Sequence, residues 1–132
     1  MSRLYTLNNI DKLDLTIKQP SLIFLKWDLW AGKTTLTKYI INNLLKESWN
    51  IISPTYTYYN KYNNIYHFDL YKLKSYDEFF AIGGEDILDN NNWVIIVEWP
   101  ELLEKYYKAD IEISLSITWK EDEREISIKY KK

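Results

Sequence analysis

The sequence predicts an α/β fold, in which a mostly parallel sheet is flanked by helices and carries a C-terminal antiparallel strand pair. Short apolar segments of strand length alternate with segments of helical periodicity, as in strands joined by crossover helices. Near the C-terminus, two segments alternate strictly between apolar and polar residues, which favours a half-exposed hairpin. Because 46% of the 132 residues are apolar, we expect one domain over residues 1–132.

The first predicted strand and the first predicted helix are separated by a loop. Ser21–Lys26 is a short apolar run of strand length. After the loop, Lys33–Lys46 carries Leu36, Ile40 and Leu44 on one helical face, so this segment is predicted to be an amphipathic helix.

Two further strands and two helical segments follow in the middle of the chain. Ile65–Leu70 is predicted to be a strand, and Tyr76–Leu88 to be helical with an interruption at Gly83-Gly84. Val94–Val97 is wholly apolar, which is typical of a strand covered on both faces. Glu101–Tyr107 is predicted to form a short helix.

The C-terminal hairpin is predicted from period-two alternation. Apolar residues occupy every second position of Ile111–Ile117 and again of Ile126–Tyr130. The charged segment Trp119–Arg124 between them is predicted to be the turn. We therefore expect an antiparallel pair at an edge of the sheet.

Composition excludes several classes of site. The chain has no cysteine, which excludes disulfides, thiolate zinc sites and cysteine nucleophiles. Its single histidine, His67, excludes a histidine-rich metal cluster, and we expect a structural role for it. A net charge of −2, from 17 basic and 19 acidic residues, argues against binding nucleic acid mainly through a basic surface.

The chain shows no membrane or export signal. Its longest apolar runs are about five residues, far short of the roughly 20 needed to span a bilayer. The segment Met1–Asn9 has no apolar run of the kind found in signal peptides. We expect a cytoplasmic protein with no membrane partner.

The loop after the first strand resembles a phosphate-binding loop. Its residues are Trp27, Asp28, Leu29, Trp30, Ala31, Gly32, Lys33, Thr34 and Thr35. In such loops the backbone N–H groups surround phosphates, a lysine reaches the β- and γ-phosphates, and a hydroxyl binds Mg²⁺. Lys33 and Thr34 take these positions, whereas Trp27 stands where the pattern has its first glycine. The alternative is an ordinary helix start with a solvated lysine.

Two strands end in carboxylates. Glu98 follows Val94–Val97, and Asp69 lies at the end of the strand predicted at Ile65–Leu70. Because ligands bind at the carboxyl ends of strands in open α/β sheets, both side chains are expected beside the phosphate loop. Glu98 is a candidate Mg²⁺ ligand, and Asp69 a candidate for orienting water. The alternative for each is a helix cap or a surface ion pair.

Four segments together resemble the TsaE (YjeE) family of small P-loop ATPases. They read KWDLWAGKTTLTKYI, ISPTYTYYNKY, YHFDLYKL and VIIVEWPE, and they cover about residues 21–101. The resemblance implies that residues 27–35 bind ATP, with Lys33 as a catalytic residue. It also implies that Thr34 and Glu98 hold Mg²⁺, and that Asp69 is needed for hydrolysis.

The resemblance implies further residues and partners. Ser53–Tyr56 would form a loop that senses the nucleotide state, and Trp99 would lie beside the nucleotide. Residues near the N-terminus and Arg124, which match more loosely, would flank the adenine. The implied partners are TsaB and TsaD, which make N6-threonylcarbamoyladenosine in tRNA, so that tRNA is contacted indirectly.

Two other functions remain open. A P-loop small-molecule kinase is the first, although such kinases usually have an arginine-rich lid and this chain has only Arg3 and Arg124. The second is a non-catalytic relative, because indoles at Trp27 and Trp30 would collide with phosphate where the loop needs glycine.

The tryptophans suggest a decoding hypothesis. The chain has 3 glycines and 6 tryptophans, against roughly 9 glycines expected from average usage of about 7%. The tryptophans that stand at glycine-like positions of the family are Trp27, Trp30, Trp49, Trp93 and Trp119. If UGA codes for glycine in this gene but was read as tryptophan, that single error explains all five tryptophans. The loop would then read GDLGAGKT.

Overall fold

The described part of the chain consists of strands and short helices. The computed structural model describes residues 2–6, 21–27, 37, 40, 58–62, 65–89, 94–117 and 123–131. The strands are β1 (Ser2–Thr6), β2 (Ser21–Trp27), β3 (Tyr59–Tyr62), β4 (Ile65–Asp69), β5 (Val94–Glu98), β6 (Ile111–Ile117) and β7 (Glu123–Tyr130). The helices are α1 (Tyr76–Ala81), α2 (Gly84–Asp89) and a 3₁₀ helix at Pro100–Leu103.

The described strands form one mixed sheet in the order β1-β7-β6-β2-β5-β4-β3. The four central strands β6, β2, β5 and β4 run parallel, while β7 and β3 run antiparallel to their neighbours. β1 pairs antiparallel with β7 and therefore runs in the same direction as the central strands. The carboxyl ends of β1, β2, β4, β5 and β6 consequently lie along one edge of the sheet, which we call the carboxyl edge.

The central strands are buried on both faces, as their apolar sequences predict. All five residues of β5 are buried, and Ile23, Phe24 and Leu25 of β2 are at most 1% exposed. Because successive side chains of a strand point to opposite faces, this pattern requires cover on both sides of the sheet. The wholly apolar run in β5 therefore marks the middle of the sheet.

The core on one face is built around aromatic rings. Phe68 of β4 packs against Phe79 of α1 with ring centroids 5.7 Å apart, and both side chains are fully buried. Phe24, Leu70 and Leu103 join the same cluster. The two short helices and the 3₁₀ helix are thus held against the sheet by apolar burial rather than by their own length.

The predicted α/β class and the C-terminal antiparallel pair are confirmed, but the pair is not at the edge of the sheet, because β1 lies beyond β7. The break at Gly83-Gly84 is also observed, because Gly83 lies between α1 and α2 with φ at +84°. The short helix predicted over Glu101–Tyr107 is observed in part: a 3₁₀ helix spans Pro100–Leu103 and turns follow. Asp110 N–H then donates to the Leu22 carbonyl at 2.8 Å, so the chain turns back to the sheet too soon for a longer helix.

Two strands were not predicted, and one begins earlier than expected. β1 and β3 lie at the two ends of the described sheet, where one side of each strand has no neighbour. β7 begins at Glu123, so Glu123 and Arg124 belong to the strand rather than to the turn. The reason is the pairing with β1, which matches Thr6 to Glu123 and Tyr5 to Arg124.

The helix predicted over Lys33–Lys46 lies outside the described residues except for Thr37 and Ile40. Both have helical backbone and are fully buried. Burial of Ile40 agrees with its predicted place on the apolar face. Within the described ranges, no helix has both the length and the apolar character needed to cross a membrane.

Candidate active site

The two strand-end carboxylates meet at the carboxyl edge. Asp69 of β4 is the register partner of Glu98 of β5, and Glu98 is also the partner of Leu25 in β2. Two residues beyond Leu25, β2 ends at Trp27, where the predicted phosphate loop begins. The sheet thus places the predicted acidic residues side by side and next to the strand that leads into the loop.

Glu98 is buried and hydrogen-bonded to the only histidine of the chain. Its side chain is the acceptor for His67 Nε2, and each residue is 2% exposed. His67 precedes Asp69 by two positions on β4, so the two share one face of the sheet. The sequence predicted only a structural role for His67 and did not reveal its contact with Glu98, the candidate metal ligand. The period of two in YHFD places His67 on the face of Asp69, but the contact with Glu98 depends on the register between β4 and β5.

The backbone around Asp69 is held by three hydrogen bonds. Its N–H donates to the Tyr58 carbonyl and the next N–H, of Leu70, donates to the Glu98 carbonyl, both at 3.1 Å. The side-chain Oδ1 of Asp69 accepts from the Tyr71 N–H, also at 3.1 Å. Asp69 is therefore fixed relative to β3 on one side and to β5 on the other.

Trp99 follows Glu98 in an unusual conformation. Its φ of 56° and ψ of 60° lie in the left-handed region, which non-glycine residues seldom adopt. Its ring packs on Tyr71 with centroids 5.0 Å apart, and Tyr71 is 59% exposed. Trp99 Nε1 is buried and has no hydrogen-bond partner among the described residues. The sequence predicted no role for Tyr71, although Tyr71 lies in the segment YHFDLYKL that resembles the family.

The backbone of Arg124 also lies at the carboxyl edge. Arg124 is the partner of Ile117, the last residue of β6, and of Tyr5 in β1. β6 in turn runs parallel to β2, with Leu115 opposite Trp27. The topology thus brings Arg124 and the end of β1 to the same edge as Trp27 and Glu98.

Several predicted site residues lie outside the described part of the chain. They are Asp28, Leu29, Trp30, Ala31, Gly32, Lys33, Thr34 and Thr35, together with the loop Ser53–Tyr56. Within the described ranges, no three histidine, aspartate or glutamate side chains converge on a point that could hold a metal ion. Glu98 nevertheless offers the type of donor, a carboxylate oxygen, that Mg²⁺ prefers.

Known proteins resemble this chain over most of its length. The sequence model of the family "Threonylcarbamoyl adenosine biosynthesis protein TsaE" matches residues 4–126. A protein from Rickettsia felis, named tRNA threonylcarbamoyladenosine biosynthesis protein TsaE, is 37% identical over 107 residues. That match covers 77% of this chain and 61% of the Rickettsia protein, which is less than two thirds of its length.

Two further matches cover a larger share of this chain and of the matching protein. The TsaE protein of Haemophilus influenzae is 33% identical over 120 residues, which are 88% of this chain and 74% of that protein. The crystal structure of Bacillus subtilis YdiB superposes with a TM-score of 0.66 at 27% identity, and covers 98% of this chain and 84% of that one. The strand-end pair Asp69 and Glu98 thus lies within a region that the family model spans. From the family match and the relatives together, this chain belongs to the TsaE family.

Proposed function

We propose that the chain is a Mg²⁺-dependent ATPase, weak on its own, that acts as an accessory protein in making N6-threonylcarbamoyladenosine in tRNA. Its expected partners are the homologues of TsaB and TsaD, and it contacts tRNA through them. Membership in the TsaE family, whose relatives carry this biosynthesis in their names, supports the pathway. The arrangement of the carboxyl edge supports the chemistry.

The observation that carries the proposal is the register of β4, β5 and β2. Leu25, Glu98 and Asp69 lie across three adjacent parallel strands, and the predicted phosphate loop continues from the end of β2. Nucleotide sites of open α/β sheets lie at this edge, next to the loop after a central strand. β2 has β6 on one side and β5 on the other, so it is central.

The residues fit the proposed ATP and Mg²⁺. A carboxylate and a hydroxyl are hard oxygen donors, so Glu98 and Thr34 would hold the ion, and Lys33 would bind the terminal phosphates. When bound, Mg²⁺ neutralises phosphate charge during cleavage. The predicted nucleotide-binding residues Trp27 to Thr35, together with Trp99 and Arg124, would surround the rest of the nucleotide.

The described residues would position and shield the reacting groups. Asp69, held by the backbone of Tyr58 and Tyr71, can accept a proton from a water molecule and orient it. The tilted ring contact between Tyr71 and Trp99 lies beside Glu98 and would limit the access of other water.

Reconstituted tRNA modification tests the proposal. The native chain, purified TsaB and TsaD homologues and unmodified tRNA would be supplied with the threonylcarbamoyl donor and ATP. We expect multiple turnovers with the native chain, and a rate at least about 100-fold lower with Lys33→Ala or Glu98→Ala.

Lys129→Ala is the matched control, because Lys129 is an exposed lysine on β7 opposite Glu112, away from the carboxyl edge. It should keep the native rate. Normal turnover by both Lys33→Ala and Glu98→Ala would refute the roles assigned to them. ATP-dependent phosphorylation of a small molecule, with no effect on tRNA, would favour the kinase instead.

A further inference from the structure

We propose that His67 is a positioning residue that holds the Glu98 carboxylate in the orientation in which it meets the metal. The inference rests on the proposed function, in which Glu98 is a ligand of Mg²⁺. It assigns a task to a residue whose sequence context predicts only a structural role.

The sheet register explains how the two side chains meet. Asp69 is opposite Glu98, whereas His67 is opposite Ile96, one step further from the carboxyl edge. All four side chains lie on one face, because residues two apart in a strand point the same way. The Glu98 side chain therefore reaches diagonally across the strands to His67. Diagonal neighbours are within reach of long side chains.

The chemistry of the pair fixes the donor. A carboxylate that holds a cation can only accept, so in the proposed site His67 Nε2 is the hydrogen-bond donor and Glu98 Oε2 the acceptor. A carboxylate has about four lone-pair positions, and one imidazole bond leaves acceptor capacity for a cation. Metal-ligating carboxylates are commonly held by such outer hydrogen bonds, which fix their orientation.

Nδ1 of His67 is buried and has no hydrogen-bond partner among the described residues. Nε2 is the ring nitrogen that faces Glu98, so the proton of this contact lies on Nε2.

Nitrogen NMR of the imidazole tests the hydrogen bond without any nucleotide. His67 is the only histidine in the chain, so every imidazole signal belongs to it. We expect Nε2 to be protonated and its proton to exchange slowly with water. In Glu98→Ala that proton should exchange faster. A proton on Nδ1 alone, or a spectrum unchanged by Glu98→Ala, would overturn the proposal.

Metal binding tests the positioning role. Manganese would be titrated into the nucleotide complex and followed by electron paramagnetic resonance. His67→Leu removes the donor and should weaken Mn²⁺ binding about tenfold or more. His67→Gln keeps an N–H donor at similar reach and should restore binding close to the native value. ATP affinity without metal should stay the same in both variants.

Phe68→Leu is the matched control for loss of packing. Phe68 is buried next to His67 but points to the opposite face of β4, away from Glu98. It should lower stability and leave Mn²⁺ affinity unchanged. Native affinity in His67→Leu, no recovery in His67→Gln, or equal weakening in Phe68→Leu would each overturn the positioning role.

The two proposals fail in different ways. A native chain that binds no nucleotide refutes the proposed function and the metal part of this inference, and the imidazole spectrum still decides the bond between His67 and Glu98. A native chain that hydrolyses ATP, with unchanged metal binding in His67→Leu, keeps the function and refutes the role of His67.

Discussion

At the scale of single residues, Gly84 shows how closely α2 is packed. Gly84 is buried, and a Cβ built on it would overlap the ring of Phe79. Phe79 is fully buried against Phe68 and cannot swing away into solvent. Gly83 differs, because nothing lies within 4 Å of its Cβ position and its φ of +84° is what requires glycine.

We expect Gly84→Ala to lower the free energy of unfolding by about 1–3 kcal/mol, because the added methyl group overpacks the core. Urea unfolding would measure it. In a Phe79→Leu background the loss should shrink, because the ring that clashes is gone. Gly83→Ala is the control: it should cost about 1 kcal/mol from backbone strain in both backgrounds. An equal cost of Gly84→Ala in the native and the Phe79→Leu backgrounds would contradict the clash.

The sequence also predicted only some of the residues in the candidate site. Glu98 and Asp69 could be predicted because each ends an apolar strand, and strand ends share an edge. The contact of His67 with Glu98 depends on the register between β4 and β5, which no local pattern reveals. The left-handed backbone of Trp99 is likewise set by its place between β5 and the 3₁₀ helix.

At the scale of elements, buried strands were easier to predict from the sequence than exposed ones. Val94–Glu98 was predicted well because a short, wholly apolar run is typical of a strand covered on both faces. Tyr59–Tyr62 was missed because its sequence YNKY is polar, and pairing with β4 makes it a strand. The helix expected over Glu101–Tyr107 is shorter than predicted, because its sequence does not show where the chain returns to β6.

The start of α1 depends on one cap. Ser75 Oγ accepts from the Glu78 N–H at 3.3 Å, and Glu78 Oε2 accepts from the Lys74 N–H at 2.5 Å. Because α1 has only six residues, this cap is a large part of its local support. We expect Ser75→Ala to lower the free energy of unfolding by about 1 kcal/mol and Ser75→Thr to change it little. Thermal unfolding would measure both, and equal losses would argue against the cap.

The segment after the 3₁₀ helix is joined to α2 by a tyrosine hydroxyl. Tyr107 donates to Asp89 Oδ1 at 2.8 Å. Burial, and then its hydrogen bonds with Tyr76 and Asp89, raises the pKa of Tyr107 well above its ordinary value of 10.0. The folded chain therefore keeps a proton that the unfolded chain loses above about pH 10, and stability must fall as the pH rises past that point.

In Tyr107→Phe, the free energy of unfolding should fall less steeply as the pH rises above about 10. The decrease that remains comes in part from Tyr76, whose pKa is also raised by burial. Urea midpoints of both chains between about pH 8 and about pH 11 would show it. Parallel curves for the native chain and Tyr107→Phe would mean that the hydroxyl does not contribute.

At the scale of the whole molecule, the tryptophan count stays the open question of the sequence. Replacing the five tryptophans at glycine-like positions would give 8 glycines and 1 tryptophan. Trp99, which lies in the segment VIIVEWPE, would remain. We expect the mass of the protein from its native cell to be lower by five tryptophan-to-glycine differences. A mass equal to that of the printed sequence would end the decoding hypothesis.

Calorimetric titration with ATP and Mg²⁺ tests most directly whether the carboxyl edge is a nucleotide site. Two chains would be compared, one as printed and one with glycine at positions 27, 30, 49, 93 and 119. We expect micromolar binding by the glycine form, lost on Lys33→Ala. Binding by the printed form should be at least about 100-fold weaker, because indoles where a phosphate loop has glycine are expected to collide with the phosphates. A folded glycine form that releases no heat with ATP would contradict the assignment.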